Sequence, residues 1–172
     1  IGNASTAYVP TGTTVASNCV FTGNSAVSVQ YEATSASDVI QDCVFSNNTA
    51  TCVYVHGNAN VRARIARCSI DAGQYTAINV TAFAADKTFE QAIEARNCTI
   101  RGRVAGAGSL YNCLIAGGTN ATDSIVKWQA TNKQADEDLH LYNCTVAKNK
   151  AGTVGGGLCF TSTSAQFVNC IF

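Results

Sequence analysis

Apolar and polar positions along this chain are organised around cysteine. Cys19, Cys43, Cys68, Cys98, Cys113, Cys144 and Cys170 are each followed two residues later by an apolar side chain: Phe21, Phe45, Ile70, Ile100, Ile115, Val146 and Phe172. A spacing of two places the cysteine and its follower on the same face of a short strand. Three residues before each cysteine stands another apolar or small residue, namely Ala16, Ile40, Ile65, Ala95, Leu110, Leu141 and Phe167. Three is odd, so an unbroken strand would point these residues away from the core, and a bend must separate the two apolar positions. The residue just before the cysteine is Asn18, Asp42, Arg67, Asn97, Asn112, Asn143 or Asn169. Asn and Asp tolerate the left-handed conformation that a one-residue corner needs. The predicted unit is strand, corner, strand, with core on both sides.

A second turn follows, as in 22–26, 46–50 and 71–77, and leads into a third strand predicted at 27–30, 52–55, 78–80, 125–128 and 157–160. Polar loops at 32–38, 56–60, 81–90, 129–138 and 161–164 return to the next copy. Cysteine spacings of 24, 25, 30, 15, 31 and 26 describe a coil with variable loops, since helical repeats hold their period more tightly. Three short strands per coil, turning in one sense, predict an all-β chain: a right-handed parallel β-helix of about six coils, the hand following from the crossover rule. Residues 1–172 are read as one domain. The 15-residue rung between Cys98 and Cys113 is expected to have a degraded third strand around 104–108.

Composition narrows the class. Formal net charge is zero and charged residues make up 13%, so nothing favours nucleic acid or an anionic membrane. No run approaches the roughly 18 apolar residues of a transmembrane segment. The first residue is Ile1 and the last, Phe172, falls inside the repeating motif, so the chain is expected to be a segment of a longer, processed polypeptide. Neither terminal copy reads as a polar cap, which predicts continuation by further repeats or by another subunit.

The chain has nine cysteines, seven of them in one predicted column. No pair has C-x-x-C spacing, and His56 and His140 lie far from that pattern, so no metal site and no cofactor are implied. Stacked buried thiols are the favoured reading, with one or two disulfides as the alternative. The corner column Asn18, Asn97, Asn112, Asn143 and Asn169 is read as a structural ladder whose amides satisfy one another and buried corner backbone groups. On that reading Asn143→Ala should destabilise by about 1–3 kcal/mol. Outward columns are where an interaction surface would appear. Arg96, Tyr111 and Tyr142 form consecutive steps that either stack against sugar rings or a partner chain, or stabilise the sheet as a cross-strand ladder. Val20, Val44, Leu114 and Ile171 are outward and aliphatic, reflecting either a shielded contact face or plain strand propensity.

The sequons at Asn3, Asn47, Asn79, Asn97, Asn120 and Asn143 follow from an Asn/Thr-rich repeat, and Asn97 and Asn143 are expected inward and inaccessible. The run Gly155 to Gly157 lacks a following Gly-Lys-Ser/Thr and serves a tight turn.

The segments Phe21-Thr-Gly-Asn24-Ser-Ala26 and Phe45-Ser-Asn-Asn48-Thr-Ala50, with the Gly155-Gly156-Gly157-Leu158 lead into a strand, resemble the β-helices of bacterial surface proteins. The nearest class is that of polymorphic outer-membrane proteins and autotransporter passengers. The resemblance implies an exported protein, extracellular or on the cell surface, acting as a structural or adhesive scaffold. Its partners would be other protein chains or further repeats of the same chain, with glycans as a further ligand class. The alternative is a carbohydrate-active β-helix enzyme, of the polysaccharide lyase or glycoside hydrolase type, whose catalytic rungs lie outside this segment. Such sites need clustered acids on one strand face. The only acidic cluster is Asp136-Glu137-Asp138 near His140, readable as a Ca²⁺ loop or as a solvated charged loop. No residue of this segment is assigned a catalytic role.

Overall fold

The computed structural model describes residues 16–32, 38–56, 63–81, 93–106, 108–120, 124–128, 139–152, 157–160 and 165–172. Asp86, Glu90, Asp123, Asp136, Glu137, Asp138, Asn3, Gly155 and Gly156 lie outside them, as do most of the returning loops. The described chain is all-β, without a helix, and every strand pairing in it is parallel. No helix among the described residues is long and apolar enough to cross a membrane.

One sheet holds the strands that precede each corner: Ala16–Ser17, Val39–Gln41, Ala63–Ala66, Ile93–Arg96, Gly108–Tyr111, Leu139–Tyr142 and Ala165–Val168. They stack in chain order, so each rung lies on the one before it. The register is that of the sequence motif: Ala16, Ile40, Ile65, Ala95, Leu110, Leu141 and Phe167 pair in succession. A second sheet begins after the corner with Val20–Thr22, Val44–Ser46, Ser69–Thr81, Thr99–Ala105, Leu114–Ala116 and Thr145–Ala147. There Phe21, Phe45, Ile70, Ile100, Ile115 and Val146 form the paired inward row. The third-strand row runs Val29, Val53, Ile78, Val104, Val126 and Leu158. The result is a solenoid-like stack of rungs.

All three rows contribute to one continuous apolar cluster. Phe45, Ile65, Ile70, Ile78, Ile100, Ile115, Ile125, Leu139 and Leu141 are fully buried. Each such side chain contributes about 1.5–3 kcal/mol relative to exposure. In-register stacking puts like on like, and the Phe21 and Phe45 rings lie 4.7 Å apart and nearly parallel.

The short fourth rung differs from expectation. Its third strand is kept: Val104 and Ala105 pair with Ile78 and Asn79 on one side and with Val126 and Lys127 on the other. The residues are lost instead at the second corner. The partners Phe21 and Val29, Phe45 and Val53, and Ile70 and Ile78 are all eight positions apart, whereas Ile100 and Val104 are four apart. Gly102 makes this shortcut possible, with φ +131° and a position where a Cβ would lie 2.8 Å from Ala72 Cβ and 2.9 Å from Tyr75 O. The following strand starts at Gly108, where a Cβ would fall 2.6 Å from Ile93 O.

Candidate functional site

The first corner is a left-handed residue in every copy. Asn18, Asp42, Arg67, Asn97, Asn112, Asn143 and Asn169 all have φ between 51° and 55°. Backbone bonds continue from rung to rung through the bend, for example Asn97 N–H to Tyr111 O and Thr99 N–H to Cys68 O. The corner backbone is therefore paired without help from side chains. The corner amides face solvent, including those of Asn97 and Asn143, because the left-handed conformation turns Cβ outward. This corrects the expectation that they point inward and satisfy buried groups. They do form a ladder in solvent: Asn112 Nδ2 donates to Asn97 Oδ1 at 3.1 Å, Asn143 to Asn112 at 3.2 Å, and Asn169 to Asn143 at 3.2 Å. Asn18 donates to Ser17 Oγ instead, at 3.2 Å. Where Arg67 interrupts the amides, its guanidinium donates to both carboxylate oxygens of Asp42 at 2.7 Å. Those hydrogen bonds hold the Asp42 carboxyl below its ordinary value.

Behind the corner stand the thiols. Cys43, Cys68, Cys98, Cys113 and Cys144 are buried, and Cys19 and Cys170 are half-buried. From Cys43 onward each sulfur sits between carbonyls of two successive rungs, as Cys43 does with Gln41 O at 3.1 Å and Ala16 O at 3.5 Å. The pattern repeats at Cys68, Cys98, Cys113, Cys144 and Cys170. A cysteine here is a compact apolar group that also supplies a weak donor. Cys52 and the seven cysteines of the column are free thiols. Hydrogen bonds between neighbouring thiols, with burial adding to them, raise Cys68 and Cys113, and the same bonds lower Cys98 and Cys144 against the pull of burial. Burial, opposed by the Asn48 hydrogen bond and aided by the Asp71 charge, pushes Cys52, beside the third strand, up to about 11.

A second asparagine column, which the sequence analysis did not single out, lies inside the stack five residues after the cysteine. Asn24 and Asn48 are buried and Asn149 half-buried. Asn48 donates to Phe21 O at 3.1 Å, and Asn149 donates to Ile115 O at 2.9 Å while accepting from Gly118 N–H at 3.0 Å. These amides pair backbone groups that the second corner takes out of the strand ladders. The available signal was a repeated Asn three positions after the inward apolar residue: Phe21 and Asn24, Phe45 and Asn48, Val146 and Asn149.

On the outer face of the first sheet, Arg96, Tyr111 and Tyr142 are consecutive steps. The Arg96 guanidinium lies 4.1 Å from the Tyr111 ring centroid, and the Tyr111 and Tyr142 rings stack at 4.9 Å. Tyr142 Oη donates to Gln166 Oε1 at 2.6 Å. Both faces of Tyr111 are thus occupied, leaving ring edges for solvent. The adjacent column brings Glu94, Ser109 and His140 into register. Glu94 accepts from Arg96 Nε at 2.7 Å. Ser109 is completely buried and His140 meets the Tyr142 ring edge-on. On the second sheet, Val20, Val44, Leu114 and Ile171 are solvent-facing at 53%, 42%, 42% and 64% exposure. Among the described residues, no group of three or more His, Cys, Asp or Glu is arranged to hold a metal ion.

The second corner also carries surface relief. Asp71 accepts two 3.1 Å bonds from Arg101 Nη1, and Arg101 Nε donates to Gly117 O at 3.1 Å. Beyond this clasp is a hollow of about 260 Å³ bordered by Gln74, Thr119, Asn120, Lys150, Ala151 and Gly152.

Comparison with protein-family models, curated proteins and solved structures found no match.

Proposed function

We propose that the chain belongs to an exported right-handed parallel β-helix, with three short strands per coil, that serves as a structural or adhesive scaffold at the cell surface. The observation that carries this reading is the exposure of Val20, Val44, Leu114 and Ile171 in one outward column of an in-register stack, where Ser69, Thr99 and Thr145 hold the positions between them. Apolar side chains held outward from one sheet make a surface suited to lateral contact. Arg67, Arg96 and Arg101 are paired within the chain with Asp42, Glu94 and Asp71. At the aliphatic positions, contact therefore falls to shape and apolar packing, as in a fibre or surface layer.

Light scattering on residues 1–172 over a wide concentration range tests the scaffold. Self-association is expected, and Val44→Lys with Leu114→Lys is expected to reduce it. A monomer at every concentration, for both proteins, ends the scaffold reading.

A further inference from the structure

The shortened fourth rung leaves a gap in the ridge formed by the second corners. With four residues missing between Ile100 and Val104, the turn of the third rung and the turns of the fifth and sixth face each other across it. Gly118 settles onto Gly102, where a Cβ on Gly118 would stand 2.8 Å from the Gly102 nitrogen. Thr119 and Asn120 pair with Lys150 and Ala151 to form the far wall, and Gln74 forms the near one. The hollow is open to solvent and, at about 260 Å³, is smaller than the roughly 300–1,000 Å³ of drug-sized clefts, a size that suits a single ring.

Its chemistry is specific. Lys150 makes no ion pair among the described residues, whereas Arg67, Arg96 and Arg101 are all paired with carboxylates. The Gln74 amide and the Thr119 hydroxyl likewise make no side-chain hydrogen bond among the described residues. Asp71, at the neighbouring clasp, accepts both of its bonds from Arg101. The hollow therefore offers one uncommitted cation and an amide and hydroxyl able to donate and accept.

We propose that this hollow binds a sugar ring bearing a carboxylate. The carboxylate would meet Lys150, and ring hydroxyls would bridge Gln74 and Thr119. The ring is either a free sugar acid or the terminal residue of an acidic polysaccharide. The proposal extends the adhesive reading to a ligand class, and its test addresses the hollow alone, so that a failure here leaves the self-association result standing.

The experiment is a titration of the ¹⁵N-labelled chain with D-glucuronate, its methyl glycoside and D-glucose, following the Gln74 side-chain amide and the Thr119 and Gly152 backbone amides. Saturable shifts at these groups are expected with glucuronate. Glucose, and glucuronate against Lys150→Gln, should bind at least about tenfold more weakly, the factor expected for one charge-assisted hydrogen bond. Equal binding of the methyl glycoside assigns the site to a chain terminus, and weaker binding assigns it to the free acid. Lys150 is exposed, so the variant should fold, and its unshifted core amides verify that. Absence of saturable shifts, equal binding of glucose, or an unchanged Lys150→Gln titration overturns the proposal.

Discussion

Asn48 Oδ1 accepts two hydrogen bonds from Asn24, one from its backbone N–H and one from Nδ2, both at 2.9 Å. The pair sits inside the stack, with Asn24 Nδ2 also reaching Ser28 Oγ at 3.2 Å. This inner column, and not the solvent-facing amides of the first corner, carries the polar groups whose loss is costly.

Asn48→Ala should therefore destabilise the fold by about 1–3 kcal/mol, through buried groups left without partners. Asn143→Ala should cost about 1–2 kcal/mol for a different reason, the left-handed backbone that alanine resists. Asn143→Gly separates the two effects, because it keeps the backbone and removes only an exposed amide. Urea unfolding should place Asn143→Gly within about 0.5 kcal/mol of the parent, as for ordinary surface substitutions. A loss as large as that of Asn48→Ala would restore a burial role to the outer ladder.

Thiol accessibility should follow position in the stack. Under native alkylation Cys19 and Cys170 react first, and Cys43, Cys68, Cys98, Cys113 and Cys144 stay protected until the chain unfolds. Cys52, raised to about 11, remains protonated and inert at neutral pH. Mass spectrometry after denaturing, non-reducing alkylation should find the column fully labelled. Disulfides linking these sulfurs in the folded protein would refute the stacked-thiol arrangement.

The tyrosine ladder should register as a coupling. A double-mutant cycle with Tyr111→Ala and Tyr142→Ala is expected to give about 0.5–1.5 kcal/mol beyond the single losses. Arg96→Ala should couple to Tyr111 by about 0.5–1 kcal/mol, the range for an exposed cation over a ring. Zero coupling in both cycles would leave the two rings free for a ligand and return weight to the sugar-stacking reading.

Arg67 makes the first corner pH-sensitive. The Asp42 carboxyl is held below 3.8 by Arg67, so the pair's contribution is fully present above that ordinary value and disappears as pH falls through the lowered one. Arg67→Asn loses this ion pair and gains a residue better suited to φ 51°. The variant should therefore gain stability relative to the parent as pH is lowered from 7 to about 3. Chemical denaturation at the two pH values reads the difference directly, and a gap independent of pH would show that the pair contributes nothing.

Much of this architecture was legible without coordinates. The odd offset between Ala16 and Cys19, repeated through Phe167 and Cys170, requires a bend, and Asn or Asp at that bend indicates its left-handed backbone. The even offset from Cys43 to Phe45 places both on the inward side. Local sterics and period-two alternation settle these features, and they act within a few residues of chain.

Tertiary structure decided the rest, because it depends on which residues of different rungs meet. Asn97 and Asn24 carry the same amide, yet one faces water and the other the core, according to whether its corner turns Cβ away from the stack. Glu94, Ser109 and His140 are distant in sequence and share a column only through register. The 15-residue spacing announces a short rung, but only the pairing of Val104 with Ile78 and Val126 shows that the loss fell at the second corner. That placement leaves Lys150 and Gln74 facing each other across a gap. Sequence determines the rung, since its geometry is local. Stacking determines the surface, since every outward neighbour comes from another turn of the chain.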